Sequence, residues 1–320
     1  MTSETDAVIR VDHLSKTFGA VRAVDDLSFE VGPGRVTGFL GPNGAGKTTT
    51  LRMLLGLVVP TSGTATVGGR LYQDLRNPGR MVGAALEASS FHPGRTARDH
   101  LRVLAPQVGV PTTRCDEVLE LVGLADAARR RVGGFSLGMR QRLGLATTLL
   151  GDPRVLLLDE PANGLDPEGI AWLRSLLRYL AGQGRTVLVS SHVLSEVHQT
   201  VDDVVIIAKG RLVQACPLAE LDALARSEGL ARRTTLLASP DVAGLDRLVQ
   251  ERWPGRATPV PDRPGAVVLQ DVDAAEVGAA AFAAGLEVHE LVPGEVNLEE
   301  IFLRLTGAST DAPAARGVAA

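Results

Sequence analysis

Short apolar runs alternate with amphipathic segments along the chain up to about residue 215. Apolar runs of about four to eight residues are typical of strands buried on both faces, and helices fit between them. The predicted strands are residues 36–40, 155–158, 186–190 and 204–208. Strands separated by helices predict a largely parallel, helix-covered sheet, that is, an α/β fold.

Helices in this first part are placed by their boundary residues and by apolar spacing. Residues 47–57 follow a glycine-rich turn, and residues 167–181 begin at a proline and end before a glycine. Between residues 97 and 150 apolar positions recur at helical spacing, with no evident strand. We therefore predict an α/β domain over residues 1–216 with a helical insert at about residues 87–150.

A second, smaller domain is predicted after Pro217. Residues 217–230 fit a linker helix, and residues 231–307 follow the order strand, helix, strand, strand, helix, strand. That order is typical of a split βαβ, or ferredoxin-like, α+β domain. The predicted strands lie at 234–238, at both sides of the Asp-Arg-Pro-Gly turn within 257–270, and at 286–292; the predicted helices lie at 241–253 and 274–284.

The end of the chain carries two further expectations. Asn297 is placed to cap a final helix with an apolar face. Residues 308–320 form an alanine-rich polar tail that we expect to be disordered.

Composition narrows the classes of partner. The 320 residues are 45% apolar, which predicts a globular protein of about two domains. A net charge of −4 and only 3% aromatic residues disfavour nucleic-acid binding, which uses basic fields and stacking platforms. No apolar run reaches the roughly 18 residues that a membrane helix needs. Residues 1–12 lack the apolar core of a signal peptide. The chain has two cysteines, Cys115 and Cys216, which are too few for a disulfide framework. We expect a cytosolic chain.

The strongest chemical signal is a phosphate-binding loop. Residues 41–48 read Gly-Pro-Asn-Gly-Ala-Gly-Lys-Thr and match G-x-x-x-x-G-K-[ST]. The glycines let backbone N–H groups turn toward phosphate oxygens, and the following helix presents its N-terminus to the same anion. Lys47 would contact the β- and γ-phosphates, and Thr48 would offer a hydroxyl to Mg²⁺. The predicted nucleotide-binding residues are Gly41, Asn43, Gly44, Ala45, Gly46, Lys47, Thr48 and Thr49.

A pair of carboxylates follows the predicted strand at residues 155–158. Asp159 emerges at the carboxyl end of that strand, where α/β sheets bind ligands, and is predicted to hold Mg²⁺. Glu160 is placed to polarise a water for attack on the γ-phosphate. These two motifs leave open a kinase, a GTPase, a recombinase-like motor or a transport ATPase.

A third motif, Phe-Ser-Leu-Gly-Met-Arg-Gln-Arg at residues 135–142, narrows that choice. It resembles the signature sequence of ATP-binding cassette (ABC) ATPases, usually Leu-Ser-Gly-Gly-Gln followed by glutamine and arginine. The matching residues are Ser136, Gly138, Gln141 and Arg142, whereas Leu137 and Met139 depart from the common form. This Ser-Leu-Gly-Met variant resembles exporter ATPases of the drug-resistance and bacteriocin-immunity type. Taken alone, Ser136 would be an ordinary helix cap.

Other positions follow the order of motifs in the ABC family. Phe18 resembles the aromatic residue that stacks on adenine, and residues 163–166, which end at Asp166, resemble the D-loop. His192 resembles the switch histidine that contacts the γ-phosphate. Glu87 falls at the Q-loop, where glutamine is usual, and the resemblance makes it a metal-site residue. The resemblance covers residues 8–217.

The resemblance implies an ATPase that uses Mg²⁺, with Glu160 as the general base and His192 as the γ-phosphate sensor. It also implies a head-to-tail homodimer. Ser136 and Gly138 of one copy would face the γ-phosphate that Lys47 of the other copy holds.

The resemblance further implies a separate membrane partner. Residues 298–307 are similar to the end of exporter ATPases that pair with ABC-2-type permease subunits. We expect the chain to lie on the cytoplasmic face of the membrane, docked through residues 87–110, and to power export of an antibiotic, another hydrophobic small molecule or a lipid. The second domain would be regulatory or dimer-stabilising.

Two other functions stay open at this point. One is a soluble ABC ATPase that acts on ribosomes or nucleic acid, although such proteins usually carry tandem cassettes or long coiled coils. The other is a non-hydrolysing regulatory cassette, which the presence of Glu160 disfavours.

Overall fold

The computed structural model describes residues 7–86, 91–192, 199–227, 234–261 and 263–294. These residues divide into two compact units, with the boundary between Leu218 and Ala219. Glu87, the helix expected at Asn297 and the tail at 308–320 lie outside the described residues.

The first unit is built on a six-stranded sheet with the order β5-β6-β7-β3-β8-β9. Its strands are β3 Val36–Leu40, β5 Val82–Ala85, β6 Val155–Asp159, β7 Thr186–Ser191, β8 Asp203–Ala208 and β9 Arg211–Pro217. All pairs are parallel except β8 with β9. The four strands predicted from continuous apolar runs are confirmed: β3 and β7 are buried throughout, and so are the valines, leucines and isoleucines of β6 and β8.

A second sheet of this unit is antiparallel and was missing from the sequence prediction. It contains β1 Ile9–Phe18, β2 Val21–Val31 and β4 Ser62–Val67 in the order β2-β1-β4. Buried and exposed residues alternate only at the start of β1, and the pairing of β1 with β2 shifts register from Val11 onward. These irregularities break the period of two that identifies a half-buried strand.

The α-helices that the structure describes wholly within the first unit are α1 Lys47–Leu54, α2 Pro78–Met81, α3 Ala97–Leu104, α4 Thr113–Leu121, α5 Leu137–Leu149 and α6 Pro167–Gly182. The expected helical insert corresponds to α3, α4 and α5, which bury Leu101, Leu119 and Leu143 completely. Helix α1 ends before the predicted residue 57, because Gly56 has a φ of 67° and turns the chain out of the helix.

One apolar cluster joins both sheets to α1. It includes Ile9 and Leu27 of the antiparallel sheet, Phe39 of β3, and Leu51 and Leu54 of α1. The loop at residues 41–46 is therefore held at both ends by buried elements, β3 before it and α1 after it.

The second unit contains α7 Leu218–Ser227, which spans the boundary, then β10 Thr234–Ala238, α8 Val242–Arg252, β11 Ala257–Pro259, β12 Ala266–Gln270, α9 Ala274–Ala283 and β13 Glu290–Gly294. Its four strands have the order β11-β12-β10-β13, with antiparallel neighbours, as in the expected split βαβ arrangement. The last strand begins four residues later than predicted. Leu286 instead closes α9, since its N–H donates to Ala281 O at 2.9 Å after Gly285 with a φ of 66°.

Candidate nucleotide-binding site

The phosphate loop at residues 41–48 joins β3 to α1 and backs onto the antiparallel sheet. Gly46 precedes α1 with a φ of 106°, a conformation that a side chain disfavours. A β-carbon at Gly46 would lie 2.6 Å from the backbone oxygen of Ala23 in β2. The sequence pattern thus has a physical basis, because only glycine lets the loop approach β2 and still turn into the helix.

We expect Gly46→Ala to weaken ATP binding by at least about tenfold. The left-handed backbone costs about 1–2 kcal/mol with a side chain, and about 1.4 kcal/mol is a factor of ten in affinity. The clash with a backbone atom adds to that cost. Gly34→Ala is the matched control, because Gly34 also has a positive φ, 76°, but nothing lies within 4 Å of its added β-carbon. Titration with a fluorescent ATP analogue measures both, and equal affinities would contradict this reading of the loop.

Lys47 places a buried amine inside the loop. Its Nζ donates to Gly41 O at 2.6 Å and to Pro42 O at 3.4 Å, and the residue is 6% exposed. The same Nζ lies 3.6 Å from Oε1 of Glu160. The amine is therefore held by acceptors that phosphate oxygens can replace.

Thr48 and Asp159 form an oxygen pair beside this amine. Thr48 Oγ1 donates to Asp159 Oδ2 at 2.6 Å, and the other oxygen of Asp159 accepts from Ser190 Oγ. No group of three or more His, Cys, Asp or Glu in the described part of the chain could hold a metal. One hydroxyl and one carboxylate fit Mg²⁺, which takes few protein ligands and completes its shell with phosphate and water.

Glu160 is held at the end of β6 in an unusual conformation. Its φ is 49°, and non-glycine residues in this region are uncommon and cluster at functional sites. Its backbone N–H donates to Ser190 O at 3.2 Å and to Ser190 Oγ at 3.0 Å. Its Oε2 lies 2.8 Å from Nδ1 of His192. The carboxylate is thus oriented by Lys47 on one oxygen and by His192 on the other.

The signature segment contacts the D-loop of its own chain. Ser136 Oγ accepts from Met139 N at 3.2 Å as the cap of α5, and Asp166 caps α6 in the same way. A β-carbon on Gly164 would lie 2.3 Å from the Leu137 side chain. Within the described ranges, no hydrogen bond or ion pair links Ser136 to the phosphate loop or to Glu160.

Phe18 lies at the end of β1, where it pairs with Val21 across the hairpin. Strand β2 begins at this hairpin, and its third residue, Ala23, lies against Gly46 of the phosphate loop. The Phe18 residue is 50% exposed, and Lys16 Nζ lies 4.9 Å from its ring centroid. About half of the Phe18 surface is therefore accessible.

Comparison with known proteins assigns a family to this geometry. The family model described as ABC transporter matches residues 24–163. The bacitracin transport ATP-binding protein BcrA of Bacillus licheniformis is 45% identical over 217 residues, which cover 67% of this chain and 71% of that relative. The chain belongs to the ABC transporter ATP-binding family. It is an ATP-binding ATPase, as the three motifs predicted.

Further likenesses agree with that assignment. The lantibiotic transport ATP-binding protein SrtF of Streptococcus pyogenes is 36% identical over 206 residues, covering 64% of this chain and 89% of that relative. A solved ATP-binding subunit of an ABC transporter superposes with a TM-score of 0.62 at 28% identity, covering 70% of this chain and 94% of its own. Among the described residues, no helix is both long and apolar enough to cross a membrane.

The sequence prediction did not include the hydrogen bonds that two residues, Ser190 and Gln141, make at the nucleotide-binding site. Ser190 donates to the Asp159 carboxylate and accepts from the Glu160 backbone N–H, so one hydroxyl links the Asp159 side chain to the backbone of Glu160. Gln141 Nε2 donates to Pro161 O at 3.1 Å and ties the signature helix to the residue after Glu160. The only sequence signal for Ser190 was a serine at the end of a predicted strand, because its pairing with Asp159 depends on the register of β6 with β7.

Proposed function

We propose that this ABC ATPase powers the export of an antibiotic, or a similar hydrophobic small molecule, through a separate membrane subunit. The observation that carries the ATP-driven part is the convergence of Lys47, Thr48, Asp159, Glu160 and His192 at the carboxyl ends of neighbouring parallel strands. The cargo class rests on the bacitracin and lantibiotic transport relatives and on the Ser-Leu-Gly-Met signature.

The proposed chemistry assigns one role to each side chain. Lys47 exchanges its loop carbonyls for the β- and γ-phosphates. Thr48 and Asp159 would hold Mg²⁺, which would supply neutralisation of phosphate charge. Glu160 accepts a proton from the water that attacks the γ-phosphorus, and the bond to the β–γ bridging oxygen breaks to give ADP and phosphate. His192 keeps the Glu160 carboxylate aligned and is close enough to sense the γ-phosphate.

Phe18 completes the nucleotide site as the adenine platform. This role is supported by the 50% exposure of Phe18 and by its pairing with Val21, two residues before Ala23, which lies against Gly46 of the phosphate loop. Lys16 restrains the ring through a cation–π contact and donates to Val59 O at 2.7 Å. The remaining exposed ring surface is available to stack on a purine.

The active form is proposed to be a head-to-tail dimer with shared sites. Ser136 is exposed, and its hydroxyl bonds to the first turn of its own helix, α5. Lys47 donates hydrogen bonds to the phosphate loop and forms an ion pair with Glu160. These contacts fit the arrangement that the family resemblance implies, in which a second copy presents the signature to the nucleotide. The exposed N-terminal end of α5 has backbone N–H groups suited to a γ-phosphate.

Mixing two inactive variants tests this arrangement. Lys47→Met removes the phosphate-loop amine, and Gly138→Asp puts a negative charge into the signature. If sites are shared, a mixed dimer retains one intact site made from the loop of one copy and the signature of the other. ATPase activity of the mixture is expected to exceed the sum of the two pure variants. Activity equal to that sum in every mixing ratio would place both motifs in one chain's own site.

The membrane subunit is proposed to be an ABC-2-type permease that docks on the helical insert at the cytoplasmic face of the membrane. Helix α3 lies within that insert, and Val103 on it is 47% exposed although apolar. This face is proposed because the insert lies directly after the expected Q-loop position in the chain. The second unit, with its split βαβ sheet, is assigned a regulatory or dimer-stabilising role.

Deleting the gene in its host tests the cargo class. The minimum inhibitory concentrations of bacitracin and of a lantibiotic are expected to fall for at least one compound. Wild-type complementation should restore resistance, whereas the Glu160→Gln form should not. Unchanged sensitivity to both compounds, with ATPase activity intact in vitro, would reject antibiotic export while leaving the ATPase assignment in place.

A further inference from the structure

A pocket of the first unit, separate from the nucleotide-binding site, is lined by arginines. It has a volume of about 440 Å³, and nine residues line it. Four of the nine are Arg70, Arg76, Arg80 and Arg154, and none of the nine is acidic. We call this site the arginine pocket.

The arginine pocket is distinct from the ATP site. Met81 and Arg154 line it, and they directly precede β5 and β6 at the amino ends of these strands. Asp159 of the ATP site is at the carboxyl end of β6. Five strand residues at about 3.3 Å each separate the two edges by roughly 15 Å. A ligand in the arginine pocket therefore approaches the sheet from the edge opposite to ATP.

Backbone hydrogen bonds fix the walls of the pocket. Val67 and Arg70 exchange two bonds, from Val67 N to Arg70 O at 2.8 Å and from Arg70 N to Val67 O at 3.1 Å. Arg80 N donates to Asn77 O at 3.0 Å, and Arg154 N donates to Met81 O at 3.1 Å. The arginines thus project from a defined frame that three separate chain segments build.

Three of the four arginines in the pocket have no carboxylate partner in the described part of the chain. Arg70, Arg76 and Arg80 are exposed, and within the described ranges no carboxylate forms an ion pair or hydrogen bond with any of the three. Other exposed arginines of the unit do find carboxylates, such as Arg10 with Glu30 at 2.7 Å. Like charges in one pocket repel each other, and a multiply charged anion removes that repulsion.

We propose that the arginine pocket binds an anion that carries phosphate groups. Arginine donates two parallel hydrogen bonds to a phosphate, and several guanidinium groups favour a ligand with more than one negative charge. The volume of the arginine pocket falls within the range of small-molecule binding sites, which is about 300–1,000 Å³. A free diphosphate compound and an anionic lipid headgroup share this chemistry.

Pyrophosphate is the first probe, with the phosphate loop of the full chain saturated with ADP and Mg²⁺. Calorimetry should detect one further site in wild type. In Arg76→Gln/Arg80→Gln the affinity is expected to fall at least about tenfold, since two charge-assisted contacts are lost. The matched control is Arg129→Gln/Arg131→Gln, which removes the same charge from exposed arginines of the helical insert. It should bind as wild type does.

Vesicles distinguish the two sources of phosphate. Co-sedimentation with phosphatidylglycerol vesicles, compared with phosphatidylcholine vesicles, should be lost in the pocket variant if a lipid headgroup is the ligand. If only pyrophosphate binding is lost, the ligand is a free phosphate compound. Binding of neither probe, or equal binding by pocket variant and control, overturns the proposal. The ATPase rate of each variant is measured in parallel, and unchanged turnover shows that such a failure concerns the pocket alone.

Discussion

Replacing Glu160 with glutamine is expected to slow ATP turnover by about 100-fold or more, since a positioned general base contributes about 10²–10⁴. Glutamine keeps the shape of the side chain but cannot accept the proton of the attacking water. ATP binding should be retained or strengthened. Glu160 Oε1 lies 3.6 Å from Lys47 Nζ, so its negative charge would repel a γ-phosphate bound to that amine. An ATP-bound dimer should therefore accumulate, visible by size-exclusion chromatography in ATP and absent in ADP.

The matched control for this variant is Glu251→Gln. Glu251 is an exposed residue of α8 in the second unit, and the change removes the same charge. Its turnover should equal that of wild type. If Glu160→Gln turns over ATP within a few-fold of the wild-type rate, Glu160 is not the base, and another group must take the proton.

Replacing Lys47 with methionine is expected to weaken ATP binding by about 100-fold, since removing one partner of a buried, hydrogen-bonded charge pair between protein and ligand costs about 2–5 kcal/mol of binding free energy. The methionine keeps the apolar stem in a site where Lys47 is 6% exposed. It removes the donor to Gly41 O and the charge beside Glu160. Direct titration with ATP measures the loss, and circular dichroism checks that the cassette is still folded.

Lys209→Met is the control for that loss. Lys209 is exposed in the turn between β8 and β9, so the change removes one positive charge without touching the loop. ATP affinity should stay at the wild-type value. Equal affinity of Lys47→Met and Lys209→Met for ATP would mean that the loop amine does not contact phosphate.

The two variants separate binding from chemistry at one site. Lys47 and Glu160 lie on different chain segments and meet through a single ion pair. One variant should lose nucleotide, and the other should hold it without hydrolysing it. Ser190 bonds both the Asp159 carboxylate and the backbone N–H of Glu160. A loss of turnover with ATP still bound therefore indicates a defect at these two residues and not at the phosphate loop.

The local motifs were predictable because their chemistry lies within one short segment. Residues 41–48 encode loop, helix start and amine together, and the apolar run before Asp159 encodes a strand that ends in a carboxylate. The helices at residues 97–149 were predictable for the same reason, since apolar spacing alone indicates a helix. The order of elements after residue 231 likewise indicated the sheet that the second unit forms.

The contacts that complete the site depend on long-range pairing. Ser190 reaches Asp159 only because β6 and β7 pair in that register, and Ala23 stands behind Gly46 only because the antiparallel sheet packs there. The irregular strands of that sheet carry no clear period, so their pairing is not visible in a local pattern.

The sequence by itself determined the α/β class, the phosphate loop, the carboxylate pair and the ABC family. Each depends on neighbours within a few residues, where backbone geometry and side-chain spacing are directly linked. Only the tertiary structure decided that His192 contacts the Glu160 carboxylate, that Leu137 of the signature lies against Gly164, and that Arg70, Arg76 and Arg80 share a pocket with Arg154. These arrangements join segments distant along the chain, and such contacts form only when the whole core packs.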